Sequence, residues 1–274
     1  MDHRRDRHAA GDTLALRAGV SSAAGSALAW RVEEAELSAF PAVRQVVLGG
    51  WALRFSEGGP RRAANSANPL RPDCDCGDEL IDAVAALYRR RGVTPLFRVP
   101  SMIAPVLDER LAARGYTHEG ESCVLHGPMT AIPAERDPKV RLLASPSPRW
   151  FAAMAGLQGH TPGQSTVYRR ILRAIALPSV FAELRGDGRP VALAYAVIHD
   201  RLLVYESVIT NHRLRRQGLA RRVIATLAAW GRESGAEAAC LQVEADNMPA
   251  RALYDGFGLT RELSRYHYRR APAR

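Results

Sequence analysis

The 274 residues exceed the usual single-domain length of about 100–150, so two domains are expected, and 47% hydrophobic with 24% charged side chains excludes a fibrous or wholly disordered chain. The net charge of +10 admits polyanionic partners, but Lys139 is the only lysine and the arginines are scattered along the chain, with no basic arm or interleaved aromatic platform. Small polyanions are therefore expected partners and nucleic acid is not.

Residues 1–28, rich in Ala, Gly and Ser, read as a loose tail. Asp12 and Arg17 break any apolar run long enough for a secretory signal, and no later window has the length of a membrane span. The expected location is the cytoplasm, with no membrane partner. Cys74, Cys76, Cys123 and Cys240 lack the paired spacing of a zinc knuckle, so they read as reduced thiols and no metal is expected.

The first structured stretch, 29–128, carries a helix at 79–91, a strand at 96–99, a helix at 104–114 and a strand at 116–125, each helix closed by Gly92 or Gly115. Prolines 128, 133, 138, 146 and 148 then mark a linker over 129–148. Downstream, 150–157 and 166–177 read as helices, the second with Ser165 as N-cap. Strands at 180–184, 191–198 and 202–209, separated by turn residues, form an antiparallel meander. A strong amphipathic helix at 218–234 stops at Gly235 and is followed by a buried strand at 238–243. Pro249 suits the first turn of one more helix, ending at Gly256 or Gly258 before a last strand at 260–268. The second domain is thus 149–270, with 271–274 as a short tail. Helix-glycine-strand units recur in both halves and suggest a divergent internal duplication.

Chemistry concentrates where the meander meets the long helix. In Thr210-Asn211-His212-Arg213-Leu214-Arg215-Arg216-Gln217-Gly218-Leu219-Ala220 the small Gly218 and Ala220 let an anion approach the free N–H groups of the helix start. The helix dipole and Arg215, Arg216 and Arg221 add to the attraction. About thirty residues on stands Asn247-Met248-Pro249-Ala250-Arg251-Ala252-Leu253-Tyr254.

Together the Arg215-x-x-Gly218-x-Ala220 turn and the Asn247 to Tyr254 segment resemble the GCN5-related N-acetyltransferase (GNAT) family. Leu241 to Asn247, the ending Tyr266-His267-Tyr268, Trp51 to Arg54 and Asn65-Ser66 resemble a bacterial subgroup with a degenerate second acetyltransferase domain at its N-terminus. The resemblance implies an α/β (α+β) tandem GNAT-like fold, with mixed, mostly antiparallel sheets, flanking helices and a functional C-terminal copy. Two departures stand out: His212 where the family often has proline, and an Arg-Arg-Ala-Ala-Asn-Ser run one residue longer than usual. The N-terminal copy has Cys-Asp-Cys-Gly-Asp-Glu in place of the arginine-glycine turn, so one active site is expected.

The resemblance also assigns roles. Arg215, Arg216, Gln217, Gly218, Leu219, Ala220 and Arg221 would hold the pyrophosphate of acetyl-CoA, the acyl donor. The backbone of Val208, Ile209 and Thr210 would hold its pantetheine arm. Asn247 would contact that arm or simply cap its helix. Tyr254 would protonate or orient the leaving thiolate, or pack as core. Glu206 is the candidate base, an acid on a strand that otherwise reads as a solvated cross-strand partner. Cys240, inside a buried strand, reads as core rather than nucleophile. The implied reaction is acetyl transfer to the primary amine of a small molecule by direct attack on the thioester. The alternatives are a protein or peptide amine as acceptor, or a CoA-binding regulator without turnover. His160 to Gln164 and the N-terminal domain are the expected lining of the acceptor pocket. Homodimerisation is left open.

Overall fold

A computed structural model describes residues 25–273. Its first helix, α1, is described over 25–39 and turns Ala29, Val32, Ala35 and Ala39 inward at helical spacing. Residues 25–28, expected as tail, are thus helical; 1–24 lie outside the described residues. The first half continues through β1 (Arg44–Leu48), β2 (Trp51–Phe55), β3 (Ala67–Pro69), α2 (Asp78–Arg90), β4 (Leu96–Pro100), α3 (Val106–Ala113) and β5 (Thr117–Pro128). The second half runs β6 (Val140–Leu143), α4 (Pro148–Gln158), α5 (Pro162–Arg173), β7 (Ser179–Gly186), β8 (Arg189–His199), β9 (Leu202–Thr210), α6 (Leu219–Glu233), β10 (Ala238–Glu244), α7 (Met248–Asp255) and β11 (Arg261–Arg270).

The strands form a single mixed sheet in the order β1-β2-β3-β4-β11-β5-β10-β9-β8-β7-β6, in which β3–β4 and β9–β10 run parallel and the other neighbours antiparallel. The last strand of each half is inserted beside the other half: β11 lies between β4 and β5, and β5 lies between β11 and β10. The two sheets expected from the sequence are therefore continuous across the seam.

The meander is buried on both faces, and its composition shows how. Along β8, Ala192, Ala194 and Ala196 face the layer of α6 and α7, where small side chains let α6 settle close to the sheet. The alternate residues Leu193, Tyr195 and Val197 face α1, α4 and α5 on the other side. A third cluster packs α2 and α3 over β2 and β4 through Ile81, Val84, Leu107, Leu111, Trp51 and Phe97. Helix α6 ends on Gly235 at φ +82°, with the Ala236 N–H reaching back to the Gly231 carbonyl at 2.9 Å.

Two local expectations are corrected. The proline-rich stretch 129–148 contains β6, an edge strand paired with β7, because its prolines flank Val140–Leu143 without entering it; Pro148 opens α4 behind the Ser147 N-cap. The N-cap of α5 is Thr161, not Ser165: its Oγ1 accepts from the Gln164 N–H at 3.2 Å, and the Gln164 side chain accepts from the Thr161 N–H at 2.9 Å.

Candidate active site

The site begins with a gap in the sheet. β9 and β10 pair in parallel only from Leu202–Val204 to Ala238–Cys240, after which β10 stays with β5 along its whole length. β9 bends away through a bulge: Tyr195 pairs with Glu206 but Leu193 with Ile209, so β9 carries one extra residue, and Ser207 takes φ +54° there. The strands part, and two adjoining clefts fill the space.

The outer cleft, about 890 Å³, runs between β9, the start of α6 and α7. Asn211 accepts from the Arg213 N–H at 3.0 Å and starts a 3-10 turn, His212–Leu214. Arg216 at φ +63° and Gly218 at φ +73° then swing the chain into α6, with Gly218 as its N-cap. No atom stands within 4 Å of where a Gly218 Cβ would lie, so the first-turn N–H groups open onto the cleft. Arg215, Arg216 and Arg221 line the same end, while Leu214, Leu219, Ala252 and Leu253 give an apolar floor. A pyrophosphate fits the first set and a pantetheine arm the second. Val208, Ile209, Thr210, Ala220 and Asn247 also line this cleft. Gln217 is exposed and outside the lining, because the αL residues on either side turn it to solvent. Asn247 is at the same time a helix cap, accepting from the Ala250 N–H at 3.2 Å.

The inner cleft, about 530 Å³, lies across the seam between the halves. Val208, Asn247, Ala250 and Tyr254 line both clefts and so form their junction. Tyr254 is buried, and its phenol is pushed up to about 12 by that burial and by the charge of Glu206, so it keeps its proton at neutral pH. Glu206 is buried too, not the solvated cross-strand partner that a strand glutamate suggests. Its Oε2 accepts from Arg61 Nη1 at 2.8 Å and from the Ser207 N–H at 3.1 Å. Arg61 also donates to Ser207 Oγ at 2.9 Å, and its guanidinium lies 4.8 Å from the centre of the Phe40 ring. Burial alone would lower Arg61, but Glu206, Tyr168 and Tyr195 together outweigh it and raise the guanidinium, which keeps its charge. Arg62, Ser122, Gln242, Tyr266 and Tyr268 also line this cleft, with the Tyr266 hydroxyl donating to Gln242 Oε1 at 2.7 Å.

Behind the inner cleft a cavity of about 40 Å³ touches Glu36, Arg54, Arg61, Asn68, Arg98 and Glu206. Glu33 and Arg98 form a buried ion pair there. Glu36 Oε1 has no hydrogen-bond partner, and desolvation, then the charge of Glu206 against that of Arg61, holds this carboxyl well above its ordinary range.

Glu206 and Tyr254 thus meet at one site, but Arg61, Arg62, Gln242 and Glu36 went unrecognised as its neighbours. Arg61 and Glu206 are 145 positions apart, and no local period links them. The one signal was the unusual length of the run that opens with Arg61. His160 to Gln164 do not line the inner cleft: Pro162, Gly163 and Gln164 are the first turn of α5, and His160 packs edge-on to Tyr168 at 5.2 Å. Cys240 is fully buried with its thiol pushed well up by desolvation. At the start of α2, Asp75 accepts from the Gly77 N–H at 2.7 Å and Asp78 and Glu79 occupy the first turn, so carboxylates stand where a phosphate would have to approach. Among the described residues no helix is long and apolar enough to cross a membrane, and no group of three or more His, Cys, Asp or Glu is placed to hold a metal.

Residues 29–270 match the family described as "Probable histone acetyltransferase Rv0428c C-terminal". The chain is 24% identical over 245 residues to the uncharacterized N-acetyltransferase YobR of Bacillus subtilis, covering 87% of this chain and 97% of that one. It is 28% identical over 190 residues to the probable histone acetyltransferase Rv0428c of Mycobacterium tuberculosis, covering 69% of this chain and 55% of the relative. Among solved structures, a GCN5-related N-acetyltransferase from Kribbella flavida superposes with a TM-score of 0.64 at 19% identity, over 89% of this chain and 96% of that one. A tandem GNAT protein from the clavulanic acid biosynthesis pathway superposes with a TM-score of 0.60 at 12% identity, over 82% of this chain and 78% of that one. With the arginine-glycine turn, the parted strands and a family match over nearly the whole length, the chain belongs to the GNAT superfamily of acetyl-CoA-dependent acyltransferases, in the family of the Rv0428c C-terminal region.

Proposed function

We propose that the protein transfers the acetyl group of acetyl-CoA to a primary amine bound in the inner cleft. The observation that carries this reading is the junction of the two clefts at Val208 and Tyr254: a donor entering along α6 and an amine entering from the seam meet there. In this reading the first-turn N–H groups of α6 and Arg215, Arg216 and Arg221 bind the pyrophosphate, and the backbone of Val208 to Thr210 polarises the thioester carbonyl. The amine nitrogen attacks the carbonyl carbon, its proton passes to Glu206, the C–N bond forms and the C–S bond breaks. The Tyr254 phenol then protonates the thiolate, giving an amide and free CoA. Direct transfer suits the site because the Cys240 thiol is buried and protonated.

A small-molecule amine is the first reading of the acceptor, supported by a cleft that residues of both halves line. The second, a protein or peptide amine, has the stronger support of the comparisons, in the printed names of the matched family and of the M. tuberculosis relative. Release of CoA thiol is the test, using small amines and lysine peptides in parallel. Transfer to small amines with peptides inert favours the first reading, and the reverse result favours the second. No thiol release with either acceptor, from protein that binds acetyl-CoA, would sink the transfer reading.

A further inference from the structure

The inner cleft is polarised. One wall is the first-half turn Pro60 to Ala63, which brings Arg61 and Arg62; the other is β9 and β10, which bring Glu206 and Glu244. Arg61 is committed, held by Glu206 and Ser207. Arg62 is not: its ion pair with Glu119 is stretched to 3.7 Å, and the Glu119 carboxylate is already gripped by the Nε and Nη2 of Arg270.

Arg62 is nonetheless fixed in place. Its turn is locked by the Ser56 N–H donating to Asn65 Oδ1 at 2.8 Å and by the Asn65 N–H donating to the Arg62 carbonyl at 2.8 Å. The guanidinium lies 5.2 Å from the centre of the Tyr268 ring. Next to it β5 carries Gly120 at φ +48°, where an added Cβ would come within 2.5 Å of Arg62 Nη2. The fold thus makes room for an arginine fork at the cleft, held by a ring and a glycine, with one loose carboxylate partner. A planar fork of this kind suits an oxyanion.

We propose that the acceptor is a primary amine carrying a carboxylate or similar oxyanion on the same molecule, with the anion on Arg62 and the amine between Glu206 and Tyr254. This rests on the transferase reading above and narrows it. The oxyanion supplies a partner for Arg62 while the amine faces the acidic wall, so a zwitterion complements both walls. A polycationic peptide would meet two arginines at the cleft and a chain of net charge +10.

The experiment measures CoA release with ω-amino acids of increasing chain length, each beside its methyl ester and the alkylamine of equal length. At the best length the acid is expected to exceed its ester in kcat/KM by about tenfold or more, chiefly through KM. Arg62→Gln is expected to bring the acid down to its ester, and Arg62→Lys to keep part of the difference. Equal kcat/KM for acids and esters overturns the proposal while leaving acetyl transfer intact, as does a neutral-flanked lysine peptide that outperforms every acid. If no amine is turned over, the transferase reading fails, and calorimetric titration of the same acids and esters into CoA-saturated protein decides the proposal. Binding of acids over esters that Arg62→Gln abolishes supports it; equal binding, or none, overturns it.

Discussion

Tyr254 stands at the meeting of two clefts with a phenol that burial keeps protonated, which fits a proton donor and gives a prediction. Tyr254→Phe should lower kcat by about a hundredfold while acetyl-CoA affinity stays within a few-fold, since the ring remains and only the proton is lost. With the phenol at about 12, wild-type kcat should not fall from its ionisation below about pH 10, a point the pH profile checks. Glu36 gives a stability prediction of opposite character. Folding raises this carboxyl above its ordinary 4.5, so the stability tied to its proton is complete below that pH and is lost as the pH climbs through the raised value. Glu36→Gln should therefore match wild type near pH 5 and exceed it near pH 8 in denaturant midpoint; equal gains at both would contradict the assignment. The turn at Gly218 and the capped helix that carries Tyr254 were legible in the sequence because both are local patterns. Arg62 was not, since its importance comes from Tyr268 and Gly120, which only the folded chain brings beside it.

At the scale of elements, β9 shows how a strand becomes a site. Its apolar alternation was readable, but the extra residue at Ser207 was not, because a bulge is a matter of register with β8. Thr161 lost to Ser165 in the sequence reading for a similar reason: the apolar period of α5 begins only at Val167, while its first turn, Pro162 to Gln164, carries no large apolar side chain to mark it. The β11 edge of the seam offers a test of element packing. Asp108 on α3 accepts from His267 Nε2 at 2.6 Å and from Arg269 Nε and Nη2 at 2.7 Å, and these bonds hold its carboxyl down to about 2. Its contribution is present above its unfolded value near 4 and is lost as the pH falls toward 2. Asp108→Asn should cost about 1–2 kcal/mol at pH 7 by chemical denaturation, with the deficit shrinking at pH 3. A deficit independent of pH would assign the role to packing instead.

Across the whole molecule, the exchange of β5 and β11 joins the two halves by backbone hydrogen bonds rather than by a surface contact. The tandem architecture was readable from the recurring helix-glycine-strand units, whereas the exchange was not, since it depends on which strands end side by side. We propose that the halves fold as one cooperative unit despite the boundary at 129–148 that the prolines suggest. Denaturant unfolding followed by tryptophan fluorescence and by circular dichroism should then give coincident single transitions, and two separated transitions would contradict this. The same seam builds the inner cleft, whereas the outer cleft is lined by the second half alone, so in the proposed reaction the first half would help hold the acceptor and the second half would hold the donor. That division makes the donor site the most direct point of attack. Calorimetric titration of acetyl-CoA into wild type and Gly218→Glu should show micromolar binding to the former and none to the latter, whose carboxylate would stand in the open space before α6 and repel the pyrophosphate. Unchanged binding to a folded Gly218→Glu, or no binding to wild type, would contradict the account at its centre.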